Sequence, residues 1–182
     1  FYIDCRDQQL TVFPEGQVTG RLMTNAGRTR SFGGEASLLA TLWRNLDLQV
    51  AYGYTRATFV KFDTGKADYA GNFIPYAPQH TLYAGASYTL RTGWNCLEYV
   101  IFRVAANGAG RIYWNEANTF SQPFYALLEA SIRFEHRHWA VDVWGRNLTD
   151  TRYDTFYFMS IGNSFLQRGR PRTFGVSLSI TL

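Results

Sequence analysis

Hydrophobic and polar residues trade places at every step over the last ten positions of the chain. Phe174, Val176, Leu178, Ile180 and Leu182 share one parity, and Thr173, Gly175, Ser177, Ser179 and Thr181 share the other. A strict period of two predicts a β-strand with one apolar face. The same period recurs upstream. Leu128, Ala130, Ile132 and Phe134 oppose Glu129, Ser131 and Arg133 within 126–134, and Trp139, Val141 and Val143 oppose Asp142 and Arg146 within 139–147. Residues 81–90, 46–54 and 99–107 repeat it, with Leu82, Val50 and Phe102 on the apolar parity and Ser87, Asp47 and Arg103 on the polar one. Weaker matches at 31–41 and 1–5 bring the expectation to about eight strands.

Alternation alone suits a soluble barrel or sandwich with its apolar face inward as well as a membrane barrel with its apolar face toward lipid. The connections separate the two. Short links (Trp43-Arg44-Asn45, Arg91 to Asn95, Glu135 to His138) alternate with long ones near 14–28, 61–79, 115–123 and 155–168. Tight turns at one end and long loops at the other predict an antiparallel up-and-down transmembrane wall, with its short turns on the periplasmic side. A strand of about ten residues is the tilted length that crosses a hydrocarbon core. Trp43, Trp94 and Trp139 lie at or beside the short turns, and Tyr113, Trp114, Phe124 and Tyr125 lie near the long-loop side. Two such bands suit the two membrane interfaces.

Composition agrees: the chain is 46% hydrophobic and 17% aromatic, and no run approaches the roughly 18 apolar residues a spanning helix needs. The net charge of +4 comes almost wholly from arginine, Lys61 and Lys66 being the lysines. These cations are scattered, so no nucleic-acid partner is expected. Cys5 and Cys96 have no metal-ligand spacing, and a disulfide between them is not favoured. The chain opens Phe1-Tyr2-Ile3-Asp4, without initiator Met or apolar leader. That suggests a fragment or processed product, whose missing leader says nothing about its address.

Four segments carry a family resemblance. Asn147-Leu148-Thr149-Asp150-Thr151-Arg152-Tyr153 resembles the N-L-x-D-x-x-Y segment before the last strand of TonB-dependent outer-membrane receptors. Gly169-Arg170-Pro171-Arg172-Thr173-Phe174-Gly175-Val176 is similar to that family's closing G-x-P-R-x-F-G-V. Asn25-Ala26-Gly27 with Gly34-Glu35-Ala36 resembles its N-A-G…G-x-E pairing, and Pro75 to His80 its P-x-x-P-x-H run into a strand. Each residue also has a local reason: Pro171 stands where a missing N–H is tolerated, and Asn147 and Asp150 suit turns. One departure is Leu182, where the family usually ends in an aromatic read by the barrel-assembly machinery.

The resemblance implies that residues 1–182 are the C-terminal portion of a barrel of about 22 strands, with the plug domain absent from this chain. It implies an outer-membrane active importer of a scarce ligand, with ferric siderophore, haem or cobalamin foremost, driven by TonB-coupled energy. The implied partners are outer-membrane lipid and lipopolysaccharide, the N-terminal plug and remaining barrel, the TonB complex acting through that plug, the barrel-assembly machinery and a small-molecule ligand. No cofactor or metal is implied. No enzyme is expected either, since His80, His136 and His138 belong to no nucleophile or metal motif.

Candidate ligand or plug contacts fall into two groups. On the polar parity stand Arg103, Asn107, Arg111, Glu129, Arg133, Asp142 and Arg146; in the long loops stand Tyr69, Phe73, Tyr76, Tyr113, Phe156 and Tyr157. Pairing of Glu129 or Arg133 with Asp142 or Arg146 across strands is the simplest expectation for the charges. The alternative architecture is a self-contained eight-stranded outer-membrane barrel with an adhesion or structural role, and a third is a soluble lipocalin-like binder.

Overall fold

The computed structural model describes residues 1–7, 9–12, 22–25, 27–43, 45–160 and 163–181. Part of the 14–28 connection, Ala26, Arg44 and the terminal Leu182 lie outside the described residues. The strands are β1 (Tyr2–Arg6), β2 (Gln9–Val12), β3 (Leu22–Asn25), β4 (Arg28–Leu42), β5 (Leu46–Lys61), β6 (His80–Trp94) and β7 (Leu97–Gly110). They continue with β8 (Ile112–Tyr113), β9 (Ser121–Gln122), β10 (Tyr125–His136), β11 (Trp139–Arg146), β12 (Asp154–Ser160), β13 (Asn163–Arg168) and β14 (Thr173–Ile180).

Eight of these form one antiparallel sheet in the order β1-β4-β5-β6-β7-β10-β11-β14, and the other six pair as β2–β3, β8–β9 and β12–β13 at the long-loop end. β1 and β14 are the two edges of that sheet. A closed eight-stranded barrel would pair them, so the alternative of a small self-contained barrel is not favoured.

The register shows how parity became a wall. Leu38, Val50, Ala84, Ala106 and Leu128 are successive cross-strand partners, as are Leu39, Gln49, Gly85, Ala105 and Glu129. The second set belongs to the hollow face, where Asp47, Ser87, Arg103, Asp142 and Arg146 line one trough of 530 Å³ spanning most of the sheet. The first set lies on the outer face, where Leu38 is 63% and Val176 68% exposed. An apolar face left this open suits lipid, and its outward placement excludes the lipocalin-like arrangement. A single-layer wall has no opposite layer to bury. Its deeply buried Phe59 and Phe62 therefore sit at the long-loop end, with Tyr69 and Ile74 packed against them.

Two connections differ from expectation. The turn expected over Arg91 to Asn95 is tighter: the strands run on to a Trp94–Leu97 pair after a register shift. The Thr92 hydroxyl bonds to the Leu97 carbonyl there, and Gly93 takes a φ of 74°. The loop expected over 155–168 is itself a hairpin, with register running from Asp154↔Arg168 to Ser160↔Asn163.

The two C-terminal motifs meet in space. Asn147, 5% exposed, holds a φ of 49°, tolerable for Asn. Its Nδ2 donates to the Thr151 and Arg170 carbonyls at 3.0 Å, and its Oδ1 accepts from Thr151 N at 2.8 Å. Asp150 Oδ1 accepts from Arg172 N at 3.0 Å. Gly169 N donates to the Tyr153 carbonyl at 2.8 Å. The Tyr153 ring covers Gly169 so closely that an added Cβ would lie 2.0 Å from it. Asn, Asp and Tyr of one motif thus grip Arg170, Arg172 and Gly169 of the other.

Candidate ligand-binding site

The site is built from three connections between wall strands. The first, 62–79, folds back beside β5: Phe59 N donates to Asn72 O at 2.9 Å and Ile74 N to Ala57 O at 3.0 Å. The second, 111–124, is locked to the first by Asn118. Its Oδ1 accepts from Phe73 N at 2.7 Å and its Nδ2 donates to Phe73 O at 2.9 Å. Asn72 Nδ2 reaches Glu116 O at 2.8 Å. The third connection holds the β12–β13 hairpin. It is tied to the second by Asp154 N donating to Gln122 Oε1 at 2.9 Å, and to the first by the Tyr76 hydroxyl donating to Tyr157 O at 2.9 Å.

Aromatic rings fill the junction. Phe73 stacks on Tyr113 with centroids 5.4 Å apart, and Tyr76 lies 5.5 Å from both Trp114 and Phe156. Phe120 stacks on Tyr157 at 4.8 Å, and Phe156 leads through Phe158 to Phe165 at 5.6 and 4.9 Å. Each pair contributes about 0.5–1.5 kcal/mol beyond area burial, adding to the hydrogen bonds that tie the three loops together. Tyr76 stays 42% exposed at its centre. Of the expected loop aromatics, Phe73, Tyr76, Tyr113, Phe156 and Tyr157 come together here. Tyr69 instead packs on Phe62, 5.5 Å away, in the small buried core. The sequence reasoning missed Phe120, Phe158 and Phe165 and read Trp114 only as an interface residue; the aromatic run at 156–158 was the available signal.

Below the loops lies the trough. Arg103, Glu129, Asp142 and Arg146 line it, and Asn107 Nδ2 donates to Glu129 Oε1 at 2.8 Å. Arg133 faces Asp142 directly in the register, yet its ion pair at 2.7 Å is with Glu135, two residues along the same face of β10. Arg146 lies 4.9 Å over the Trp144 ring, and the ring covers Gly175, its partner on β14. The cross-strand pairs expected among these charges are therefore replaced by nearer partners: a carboxylate on the same strand and a π-face. Among the described residues Asp142 Oδ1 is buried without a hydrogen-bond partner. Arg111 is exposed above the wall, its carbonyl accepting from Gln79 N at 3.0 Å. Cys5 and Cys96 are free.

At the edge of the same end, Arg28 Nε and Nη2 grip the Asp4 carboxylate at 2.8 and 2.7 Å. The Arg28 hydrogen bond, helped by the Arg30 and Arg6 charges, holds the Asp4 carboxyl below the usual carboxylate range despite some desolvation.

The chain is similar to known outer-membrane proteins. The pesticin receptors of Yersinia pestis and Yersinia enterocolitica are 26% and 27% identical to it, over 99% of this chain and 26% of each receptor. The chain thus spans about a quarter of the length of the curated relatives it matches. Its fold matches that of the ferric yersiniabactin uptake receptor of Yersinia pestis, with TM-score 0.80 and 22% identity over 98% of this chain and 26% of that one. It also matches the siderophore receptor PiuA of Acinetobacter baumannii, with TM-score 0.71 and 18% identity over 97% of this chain and 24% of that one. The family described as TonB dependent receptor-like, beta-barrel, matches residues 1–148. The chain is therefore an outer-membrane β-barrel wall and belongs to the TonB-dependent receptor-like β-barrel family.

Proposed function

We propose that this chain is the C-terminal part of an outer-membrane receptor that captures a ferric siderophore on its loop aromatics and passes it along the polar trough. The carrying observation is the Tyr76 cluster, where three loops meet in one aromatic surface above a charged channel wall. Flat, half-exposed rings suit the aromatic or heterocyclic groups common in iron chelators, and the trough's arginines suit anionic complexes. Proteins of similar structure support the same reading: one is a ferric yersiniabactin uptake receptor, one a ferric preacinetobactin receptor and one a ferripyoverdine receptor. Haem and cobalamin lack that support and rank behind. In this reading an N-terminal plug fills the lumen and meets Asp142 and Arg103. TonB supplies energy through the plug, the barrel-assembly machinery inserts the wall, and further strands pair with β1 and β14. The reading assigns transport and no bond-breaking step to the chain.

Trp114, 7% exposed and 5.5 Å from Tyr76, offers a local reporter. In the complete receptor, ferric yersiniabactin, ferric preacinetobactin and ferripyoverdine are titrated against tryptophan fluorescence, with haem and cyanocobalamin alongside. At least one ferric siderophore should quench, and Tyr76→Ala should weaken that binding about tenfold, because it removes the exposed ring at the centre of the cluster and the packing that positions Trp114 and Phe156 around it. Quenching by haem or cobalamin alone, or no effect of Tyr76→Ala, would overturn the proposal.

A further inference from the structure

The β12–β13 hairpin has one covered edge and one open edge. β12 is held by its neighbours: Asp154 N donates to Gln122 Oε1 and the Tyr157 carbonyl accepts from the Tyr76 hydroxyl, each at 2.9 Å. β13 pairs with β12 alone, and all of its residues, Asn163–Arg168, are exposed. Every second N–H and C=O of an edge strand points away from its one partner. Among the described residues, no backbone group outside β12 bonds to 164–168.

β13 also lacks the features that keep a solvent-facing edge from pairing. Such edges usually carry a charge or a proline, yet neither occurs from Asn163 to Gln167. Phe165 and Leu166 are consecutive, so they point to opposite faces of the hairpin, and they are 46% and 47% exposed. The strand is nevertheless well formed. Phe165 stacks on its cross-strand partner Phe158 at 4.9 Å with the planes 12° apart, and the Tyr157 hydroxyl meets Ser164 Oγ at 3.1 Å. The edge is ordered, apolar on both faces and unguarded.

Its position names the occupant. β12 leans on the 111–124 connection through Gln122 and Phe120, which leaves β13 on the far side, toward β14. The loops therefore follow the order of the wall strands beneath them. β14 is an edge of the sheet, and a closed barrel pairs it with an antiparallel strand. That strand runs upward as β14 runs down, so it reaches the long-loop end beside Thr173, and its own loop departs next to β13.

We infer that β13 accepts an added strand from the first long loop of the complete receptor, the loop that follows the strand pairing with β14. The inserted stretch is extended and sets an apolar side chain against each of Phe165 and Leu166. The inference rests on the reading of this chain as the C-terminal part of a larger closed barrel, and not on which ligand the loops capture.

The test is hydrogen–deuterium exchange in the complete receptor, comparing wild type with a variant whose first long loop is replaced by a short Gly-Ser turn. In wild type the β13 amides that β12 does not bind should be protected. Loop replacement should speed their exchange about tenfold, with β5, β6 and β7 unchanged. In parallel, Leu166→Cys is combined with Cys5→Ser and Cys96→Ser, which remove the free thiols, and with single cysteines placed along the first loop. Oxidation should form a disulfide within one receptor molecule at one stretch of that loop. Fast exchange of β13 in wild type, or protection that survives loop replacement, would overturn the inference. So would a disulfide formed only between two receptor molecules, which would make a second copy the occupant. If loop replacement also loosens β5, β6 and β7, the disulfide scan decides, and no intramolecular disulfide at any position overturns the inference. The outer edge of β14 separates the two readings. Free exchange there defeats the closed barrel itself, whereas a protected β14 beside an open β13 defeats only the added strand.

Discussion

Asn147→Ala should loosen the feet of the 147–172 connection by about 4–5 kcal/mol, and Asn147→Gly by about 3 kcal/mol. The figures follow from two separable contributions. Either change deletes three hydrogen bonds of 2.8–3.0 Å to Thr151 and Arg170, each worth about 1 kcal/mol net. Alanine adds the cost of a left-handed φ of 49°, about 1–2 kcal/mol for a residue with a Cβ, from which glycine is exempt. Hydrogen–deuterium exchange in the intact receptor reads this directly at the amides of Thr151, Gly169 and Arg172, which the clamp protects. Exchange should speed up in the order wild type, Gly, Ala, with Ala and Gly separated by roughly 5- to 30-fold. Equal rates for the two variants would refute the strain argument. Wild-type protection in Asn147→Ala would refute the clamp.

The remaining predictions probe faces and charges. Gly169→Ala forces a Cβ to within 2.0 Å of the Tyr153 ring, and should cost about 1–3 kcal/mol in thermal unfolding, most of it recovered by Tyr153→Ala in the same chain. On β14, Val176→Lys puts a charge on the lipid face and should cost about 2–4 kcal/mol, whereas Ser177→Lys faces the trough and should cost little. Equal effects of the two lysines on heat stability would contradict the assigned parity. Asp4, paired with Arg28 at the long-loop end, has a lowered pKa, so its contribution is present above its unfolded value near 3.9 and lost as pH falls through the lower folded value. The gap in melting temperature between wild type and Asp4→Asn should therefore be open at pH 7 and close on acidification below about 3.9. A gap unchanged at pH 2.5 would contradict it.

The wall was legible because lipid on one side and a polar lumen on the other force a period of two on every strand, and a slip of one residue would reverse the faces. Arg103, Glu129, Asp142 and Arg146 could therefore be placed on the trough side from parity alone. Their partners could not. Arg133 chooses Glu135 over the directly opposed Asp142, a matter of side-chain reach that spacing does not encode. The β12–β13 hairpin was hidden because Phe156, Tyr157 and Phe158 run together and defeat alternation. Phe156 packs with Tyr76 and Phe158 while Tyr157 stacks on Phe120, so both faces of that strand are apolar. Tyr69 shows the converse: its type and loop position match the other rim aromatics, and only the fold-back of 62–79 onto β5 sends it to Phe62 instead.

The clamp also joins wall to site. Asn147 and Asp150 leave β11, while Gly169 and Arg172 lead into β14, and the contacts between them fix both feet of the connection. That connection carries Phe156 to Tyr76 and Tyr157 to Phe120. Loose feet would let the hairpin swing, and two ring contacts of about 1 kcal/mol each cannot by themselves hold a loop of this length against its conformational entropy. The motif residues that touch no candidate ligand contact therefore set the geometry of those that do. Asn147→Ala should weaken ferric siderophore binding about as much as Tyr76→Ala, while leaving amide protection in the central strands β5, β6 and β7 intact. Loss of both together would mean that the wall itself had unfolded, and loss of neither would separate the clamp from the site.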